Sequence, residues 1–255
     1  MSVVIIGAGH AGTTAAATLR KLNKDIKISL FSDERSVPYQ RPPLSKKTIF
    51  SDTQNYDLIL GKDFYDKNDI QLNLDSAVEE INPKQSYVRL NSKEIIEYDQ
   101  LIIATGTKGY KLNIPGGELA QTLYSINDAH KLANSIAKAK KIAVIGGGFI
   151  GCEIASGIQK LNKDVTLLET GPSILGRSVA PIFAESVSKI HHSQGIKILT
   201  NCKALSINNR GVETTSSIIS ADLVVAGIGV TPNIELATEA NLDIDNGILV
   251  NKLLQ

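Results

Sequence analysis

The sequence predicts an α/β fold made of two copies of one strand, turn, helix and strand unit, and three observations predict it. A short apolar run, Ile142 to Ile145, feeds directly into Gly146, Gly148 and Gly151 and then into a helix-compatible stretch reaching about Leu161. The same arrangement occurs earlier, where Val3 to Ile6 lead into Gly7, Gly9 and Gly12, and the offset from Gly7 to Gly146 equals that from Gly12 to Gly151. The loop after the helix repeats as well, as KLNKD at Lys21 to Asp25 and again at Lys160 to Asp164. One GxGxxG is weak evidence. Two, each in the same strand and helix context, predict two Rossmann-like dinucleotide sites, because unrelated glycine turns leave the duplicated spacing unexplained.

Each glycine has a physical task. Gly146 makes the tight turn, Gly148 carries no side chain to hold the backbone away from a pyrophosphate, and Gly151 lets the helix pack closely on the strand. The unpaired N–H groups and the dipole at the helix start then favour phosphate. A second strand, Val165 to Leu168, ends in Glu169. A carboxylate there accepts hydrogen bonds from an adenosine ribose and repels a 2′-phosphate, so NADH is expected over NADPH. Arg177 complicates that expectation, because it follows the Gly171 to Gly176 turn closely enough to reach a phosphate. In the first copy the strand Ile26 to Phe31 ends at Ser32, Asp33 and Glu34, where an acidic residue can serve a ribose or simply be a solvated turn residue.

The 255 residues suffice for one large or two ordinary domains. Lys plus Arg total 27 and Asp plus Glu 26, a balance that gives no support to a nucleic-acid binder. Cys152 and Cys202 form no CxxC and no metal-ligand spacing, so neither a disulfide framework nor a metal site is expected. With no signal-peptide core and no apolar run near 18 residues, the cytoplasm is expected and a membrane is not.

Taken in order, Ser2 to Ile6 reads as a buried parallel strand and Thr13 to Lys21 as its helix, with Ala15 to Ala17 small enough for close contact. Pro38, Pro42 and Pro43 stiffen the stretch from Ser36 to Lys47, which is expected to open a short helix containing Ser45 and Lys46. Short strands are expected at Leu58 to Leu60 and Ile70 to Leu74, and an antiparallel meander at Ser86 to Leu90 and Ile95 to Tyr98. Asp99 to Thr105 returns as a core strand closed by Gly106, so that Thr105 and Gly106 set compact backbone beside a cofactor or form an ordinary strand-end turn. Pro115, Gly116 and Gly117 mark a domain crossing between Lys111 and Gly117, and Asn127 to Lys138 forms an amphipathic helix. After Glu169 come a helix from about Pro181 to His192, a strand at Ile196 to Leu199, two strands around Gly211, and a buried strand from Asp222 to Ile228.

Both loops, PYQRPPLSK (Pro38 to Lys46), YDQLIIATG (Tyr98 to Gly106), GGGFIGCE (Gly146 to Glu153) and AGIGVTPN (Ala226 to Asn233) together resemble the FAD-dependent pyridine nucleotide reductases. The branch it most resembles is that of the ferredoxin, rubredoxin or putidaredoxin reductases of oxygenase electron-transfer chains. The resemblance implies two Rossmann-like domains of the glutathione-reductase type, the first incomplete: residues 1–112 for FAD, 113–236 for NAD(P)H, and 237–255 as the start of a return segment. It implies FAD on Gly7, Gly9 and Gly12, with Asp33 at the adenosine and Thr105 and Gly106 nearby. It places NADH on Gly146, Gly148, Gly151 and Glu169, and Lys46 and Glu153 at the ring end as the catalytic pair. Phe149 stands where a tyrosine is commoner, and either aromatic can cover a planar ring. Lys46 is then expected to stabilise a reduced anionic flavin with Glu153 holding its ammonium, whereas the residues alone read Lys46 equally well as a solvated lysine and Glu153 more often as a helix-start carboxylate.

Related disulfide reductases carry redox cysteines where this chain has PPLSKK, so the expected acceptor is a small iron-sulfur or rubredoxin-type carrier. DNGILV, Asp245 to Val250, resembles the start of the return to the FAD domain. The family's following GD motif and C-terminal interface domain are absent, which implies a fragment, a split gene product or a degenerate paralogue, with weak FAD retention. A homodimer is expected only if that C-terminal domain is present. A free-standing nucleotide-binding or regulatory module, and a component of a nitrite or disulfide reductase, stay open as alternatives.

Overall fold

A computed structural model describes residues 1–50 and 56–255, and the chain divides into two compact units. Unit 1 comprises Met1–Gln40, Asp57–Lys108 and Thr231–Gln255; unit 2 comprises Arg41–Tyr56 and Gly109–Val230. The division differs from boundaries drawn at 112 and 236 in one consequential way. Residues 41–56 precede the crossing in sequence but belong to the second unit, not the first.

In unit 1, β1 (Ser2–Ile6), α1 (His10–Leu22) and β2 (Lys27–Phe31) form the first repeat. They are followed by β3 (Ile70–Asn73), β4 (Val78–Asn82), β5 (Tyr87–Leu90), β6 (Ile95–Glu97) and β7 (Gln100–Ile103). The parallel sheet has the order β3-β2-β1-β7, with Val3 opposite Ile28 on one side and Gln100 on the other. Successive β1 side chains serve two cores. Val3 and Ile5 pack with Ala16, Leu30 and Tyr65, whereas Val4 and Ile6 pack with Ile81, Val88 and Leu90 of the antiparallel layer β4-β5-β6. Because both faces are covered, the strand reads as an unbroken apolar run. The buried Arg20 near the end of α1 donates from Nε to Asn68 O (2.7 Å) and from Nη2 to Asp69 O (2.8 Å), fastening the helix to the turn before β3.

Unit 2 repeats the plan with a five-stranded parallel sheet in place of a four-stranded one. Its elements are β8 (Gln121–Thr122), α2 (Ile126–Lys138), β9 (Lys141–Ile145), α3 (Phe149–Gln159), β10 (Asp164–Leu168) and α4 (Pro181–Ser193). Then come β11 (Lys197–Leu199), β12 (Ala204–Asn208), β13 (Gly211–Thr214), β14 (Ile218–Ser220) and β15 (Leu223–Ala226). The parallel sheet runs β11-β10-β9-β15-β8, and β12-β13-β14 form the antiparallel layer. Ala143 and Ile145 face that layer through Ile207, Val212 and Ile219, as Val4 and Ile6 do in unit 1. The start of α2 is fixed by a capping box, in which Asp128 N donates to Ser125 Oγ (3.1 Å) and Ser125 N to Asp128 Oδ2 (2.9 Å).

A matched pair of aspartates staples the two sheets. Asp99 Oδ2 accepts from Ser2 N at 2.6 Å, and Asp222 Oδ2 from Lys140 N and Lys141 N at 3.0 and 2.9 Å. These backbone donors favour the ionised form and hold both carboxyls below the usual carboxylate range.

Several local expectations are corrected. Ser45 and Lys46 do not lie in a helix: residues 41–47 form successive turns and only Thr48–Phe50 makes a 3₁₀ turn. Pro42 and Pro43 have no N–H, and the Pro43 carbonyl collects the N–H groups of Lys46, Lys47 and Thr48, so no regular ladder forms. Leu58 to Leu60 is not a strand, since Leu58 makes one isolated bridge to Tyr39. The region around Gly211 holds three strands rather than two, with Gly211 opening the middle one. The meander likewise has a third strand, β4, whose irregular register between Val78 and Glu80 interrupts its alternation. No helix among the described residues is long and apolar enough to cross a membrane.

Candidate functional site

Each unit carries one glycine cradle, and the two are built alike. Gly7 and Gly146 have φ of +101° and +104°, a region L side chains rarely occupy, and a Cβ on either would meet a carbonyl oxygen, that of Ala104 at 2.2 Å or Gly227 at 2.5 Å. At Gly12 and Gly151 a Cβ would sit 1.9 Å from the carbonyl oxygen of Gly7 or Gly146, so the helix and the turn after the strand touch through bare backbone. Gly9 and Gly148 are different. They are the N-caps of α1 and α3, and a Cβ on either meets nothing within 4 Å. What a side chain at Gly9 or Gly148 would enter is open space in front of unpaired helix N–H groups, where phosphate is favoured.

In unit 1 the cradle opens on a cleft of about 180 Å³ lined by Gly7, Asp33, Ser76, Thr105 and Asn233 among others. Asp33 and Thr105 are thus brought to one place with the loop. Gly106 follows with φ +66°, and its carbonyl accepts from Asn233 N at 3.0 Å. The Thr105 hydroxyl donates to Asn233 O at 2.8 Å, and Asn233 Nδ2 donates back to Thr105 O at 2.8 Å and Thr107 O at 3.1 Å. Asn233 therefore holds the turn that carries Thr105 and Gly106. The sequence displays it only as the last residue of AGIGVTPN, where nothing marks a partner 128 positions away. Glu34, next to Asp33, instead accepts from the Tyr39 hydroxyl at 2.6 Å.

In unit 2 a cleft of about 440 Å³ is lined by Gly146, Gly148, Phe149, Glu169, Arg177 and Tyr110, with others. Glu169 reaches back to the loop. Its Oε2 accepts from Gly147 N at 2.8 Å and its Oε1 from Gly171 N at 2.7 Å, so one carboxylate ties the cradle to the turn after β10. Thr170 Oγ1 adds a third bond, to Oε1 at 3.2 Å, and an acceptor-only group with about four lone-pair sites keeps capacity for a ribose beyond these. Arg177 lines this cleft and also a neighbouring one of about 340 Å³ beyond Glu169. Cys202 lines the main cleft, whereas Cys152 is buried under the loop, with Sγ 3.6 Å from Gly147 O. Burial first, then Glu169 and Glu153, push the Cys152 thiol up to about 12, which makes it a packing group.

Phe149, Glu153 and Gly157 recur every four residues and share one face of α3. Phe149 is exposed beside the cleft. At Glu153 the segment 41–50 arrives: Lys46 Nζ lies 3.2 Å from Glu153 Oε1 and 3.1 Å from Pro42 O, and Ser45 Oγ donates to Glu153 Oε2 at 2.5 Å. Lys46 and Glu153 are thus brought together within unit 2. The ion pair, with Lys46 about half exposed, contributes up to about 1 kcal/mol. A hydrogen bond from a 2% exposed serine to a carboxylate contributes about 1.5–3 kcal/mol, so Ser45 is the stronger anchor. Ser45 lacked any sequence signal for this role beyond its place in PPLSK.

Residues 1–255 match the family described as pyridine nucleotide-disulphide oxidoreductase. The rhodocoxin reductase of Rhodococcus erythropolis is 39% identical over 100% of this chain and 62% of its own length. The rubredoxin-NAD(+) reductase of Pseudomonas putida is 36% identical over 98% of this chain and 68% of its own length. Among solved structures, the putidaredoxin reductase in a covalent complex with putidaredoxin superposes with a TM-score of 0.94 at 32% identity, covering 100% of this chain and 64% of that one. The chain therefore spans roughly two thirds of the length of the proteins it resembles.

Proposed function

We propose, for a chain that belongs to the pyridine nucleotide-disulphide oxidoreductase family and to its ferredoxin- and rubredoxin-reductase-like branch, that unit 1 holds FAD and unit 2 holds NADH in an NADH-dependent reductase of a small electron carrier. The observation that carries this reading is the duplicated cradle, with open space in front of Gly9 and Gly148 and steric closure at the other four glycines. Bound FAD would supply a centre able to take a hydride from NADH and to release electrons singly. The chain's own residues bind and orient. Gly7, Gly9 and Gly12, with Asp33, Thr105 and Gly106, would hold FAD, and Gly146, Gly148 and Gly151 would hold the NADH pyrophosphate.

Glu169 would accept from the adenosine ribose and disfavour a 2′-phosphate, while Phe149 would cover the nicotinamide end. Lys46, held in place by Glu153 and Pro42 O, would offer a positive charge at the flavin ring. The names of the relatives point to a rubredoxin-, rhodocoxin- or ferredoxin-type carrier as the acceptor. Two buried free cysteines with no CxxC support an external acceptor over an internal disulfide.

The test begins with the purified chain saturated with FAD, mixed anaerobically with NADH or NADPH while flavin absorbance is followed. Bleaching by NADH, faster than by NADPH and followed by reoxidation with rubredoxin or a [2Fe–2S] ferredoxin, is expected. NADH binding without bleaching in a chain that has retained FAD would overturn the reductase reading and favour a nucleotide-binding module. Glu169→Ala is expected to weaken NADH by about 1–3 kcal/mol and to narrow its advantage over NADPH. An unchanged NADH to NADPH ratio would remove Glu169 from cofactor choice.

A further inference from the structure

Gly157 sits in the interior of α3, where glycine is a poorer helix former than alanine, so the bare position calls for a reason. The reason is the ring of Phe50. A Cβ at Gly157 would lie 2.0 Å from Phe50 Cε2 and 2.1 Å from Cζ. Phe50 lies in the same segment that carries Ser45 and Lys46, and Leu44, Ser45, Thr48 and Ile49 along it are all buried. At its start Arg41 donates from Nη1 to Tyr124 O at 2.9 Å, and its guanidinium stacks 4.4 Å from the Tyr124 ring centroid. The described stretch 41–50 is therefore held at Arg41, at Ser45 and Lys46 and at Phe50, and the two α3 positions it meets, Glu153 and Gly157, lie one turn apart on one helix face.

We propose that Gly157 is a positioning residue for Lys46. By admitting the Phe50 ring against α3, it sets the height of the segment so that Ser45 and Lys46 both reach the Glu153 carboxylate. Lys46 has a long, flexible stem and could meet a carboxylate from many backbone positions, but Ser45 has a reach of one bond. The Ser45 contact survives only if the backbone of the segment lies where Phe50 puts it. The proposal concerns the placement of Lys46, and its consequence for turnover rests on the function proposed above.

The experiment compares wild type with Gly157→Ala, Gly157→Leu, Ser45→Ala and the double variant Gly157→Ala/Phe50→Leu, all as the full chain. Lys46 is labelled with trinitrobenzenesulfonate without added cofactor and its rate read by peptide mass spectrometry, normalised to the exposed Lys21. An amine released from the Glu153 carboxylate and from Pro42 O is more accessible to the reagent and reacts faster. Gly157→Ala and Ser45→Ala are each expected to raise Lys46 labelling about threefold, the scale on which a half-exposed ion pair restrains an ammonium. Gly157→Leu should raise it further, and Phe50→Leu should return the Gly157→Ala rate toward wild type. Because alanine is the better helix former, Gly157→Ala should keep its thermal stability, which separates displacement of the segment from general unfolding. Unchanged Lys46 labelling in both Gly157 variants overturns the proposal. In the FAD-saturated chain, Gly157→Ala should slow bleaching at saturating NADH while leaving half-saturation unchanged, and should add nothing in a Lys46→Ala background. Raised labelling with normal bleaching in Lys46→Ala would uphold the placement and instead reject the role given to Lys46 in the reductase reading.

Discussion

Units 1 and 2 make the same cradle, yet they back it with different sheets. Behind Gly146 stands Gly227, just past β15, whose four residues are all buried between β9 and β8. Behind Gly7 stands Ala104, just past β7, which is the edge of its sheet among the described residues, with Leu101, Ile102 and Ile103 only partly buried. Near-identical loop angles on such unequal supports show that the cradle is specified locally, by three glycines and one carbonyl. How firmly it is held is specified by the neighbouring strand. The two properties can be separated by experiment.

The largest effect is expected from filling the helix contact. Gly12→Val and Gly151→Val push a side chain onto a carbonyl 1.9 Å away and should each cost about 3 kcal/mol or more in urea unfolding. If the edge strand matters, the Gly12 variant should unfold unit 1 at lower urea than its counterpart unfolds unit 2, and equal midpoints would break the comparison. Gly9→Ala and Gly148→Ala should leave both midpoints near wild type, because nothing lies within 4 Å of either Cβ. They should nevertheless weaken FAD and NADH respectively by about tenfold, or 1.4 kcal/mol, in calorimetric titrations. Full-strength binding by either variant would mean that the open space is not where the pyrophosphate lies.

A smaller difference should appear in hydrogen exchange. Amides of β15 and Gly227 should be more protected than those of β7 and Ala104 by about 1–2 kcal/mol. The smallest effect concerns acid. Both Asp99 and Asp222 have folded values below their ordinary one, so their contribution is fully present above the ordinary carboxylate range and is lost as pH falls through the lowered value. Asp99→Asn and Asp222→Asn should flatten the acid limb of the stability profile, by similar amounts since both groups are exposed. A flattening confined to one variant would show that the two staples are not equivalent.

Much of this architecture could be read directly from residues. Branched apolar runs ending in spaced glycines located β1, α1, β9 and α3, because strand burial on both faces and close backbone approach each leave a local mark in composition. Three features left no such mark. β8 is two residues long and exists only because β15 offers it a partner. Ser45 looked like a helix residue because proline is compatible with a first helical turn, and its real partner lies 108 positions away. The glycine at 157 carried no signal until the Phe50 ring was found against it. In each case the deciding contact is long-range, and local propensity contains no term for it.

The crossing points at 108–109 and 230–231 make unit 2 look like a cassette inserted into unit 1, and Tyr110 N bonds Gly229 O at 3.0 Å to close its ends. For anyone recombining such genes, the segment 41–56 spoils that simplicity. A graft of 109–230 alone imports Glu153, Gly157 and Tyr124 but inherits Arg41, Ser45, Lys46 and Phe50 from the recipient. Donor and recipient must then agree at the positions that meet Glu153, Gly157 and Tyr124, or the exchange must take two stretches of DNA at once. Heredity would thus be expected to carry the two stretches together, as a linked pair separated by some fifty codons.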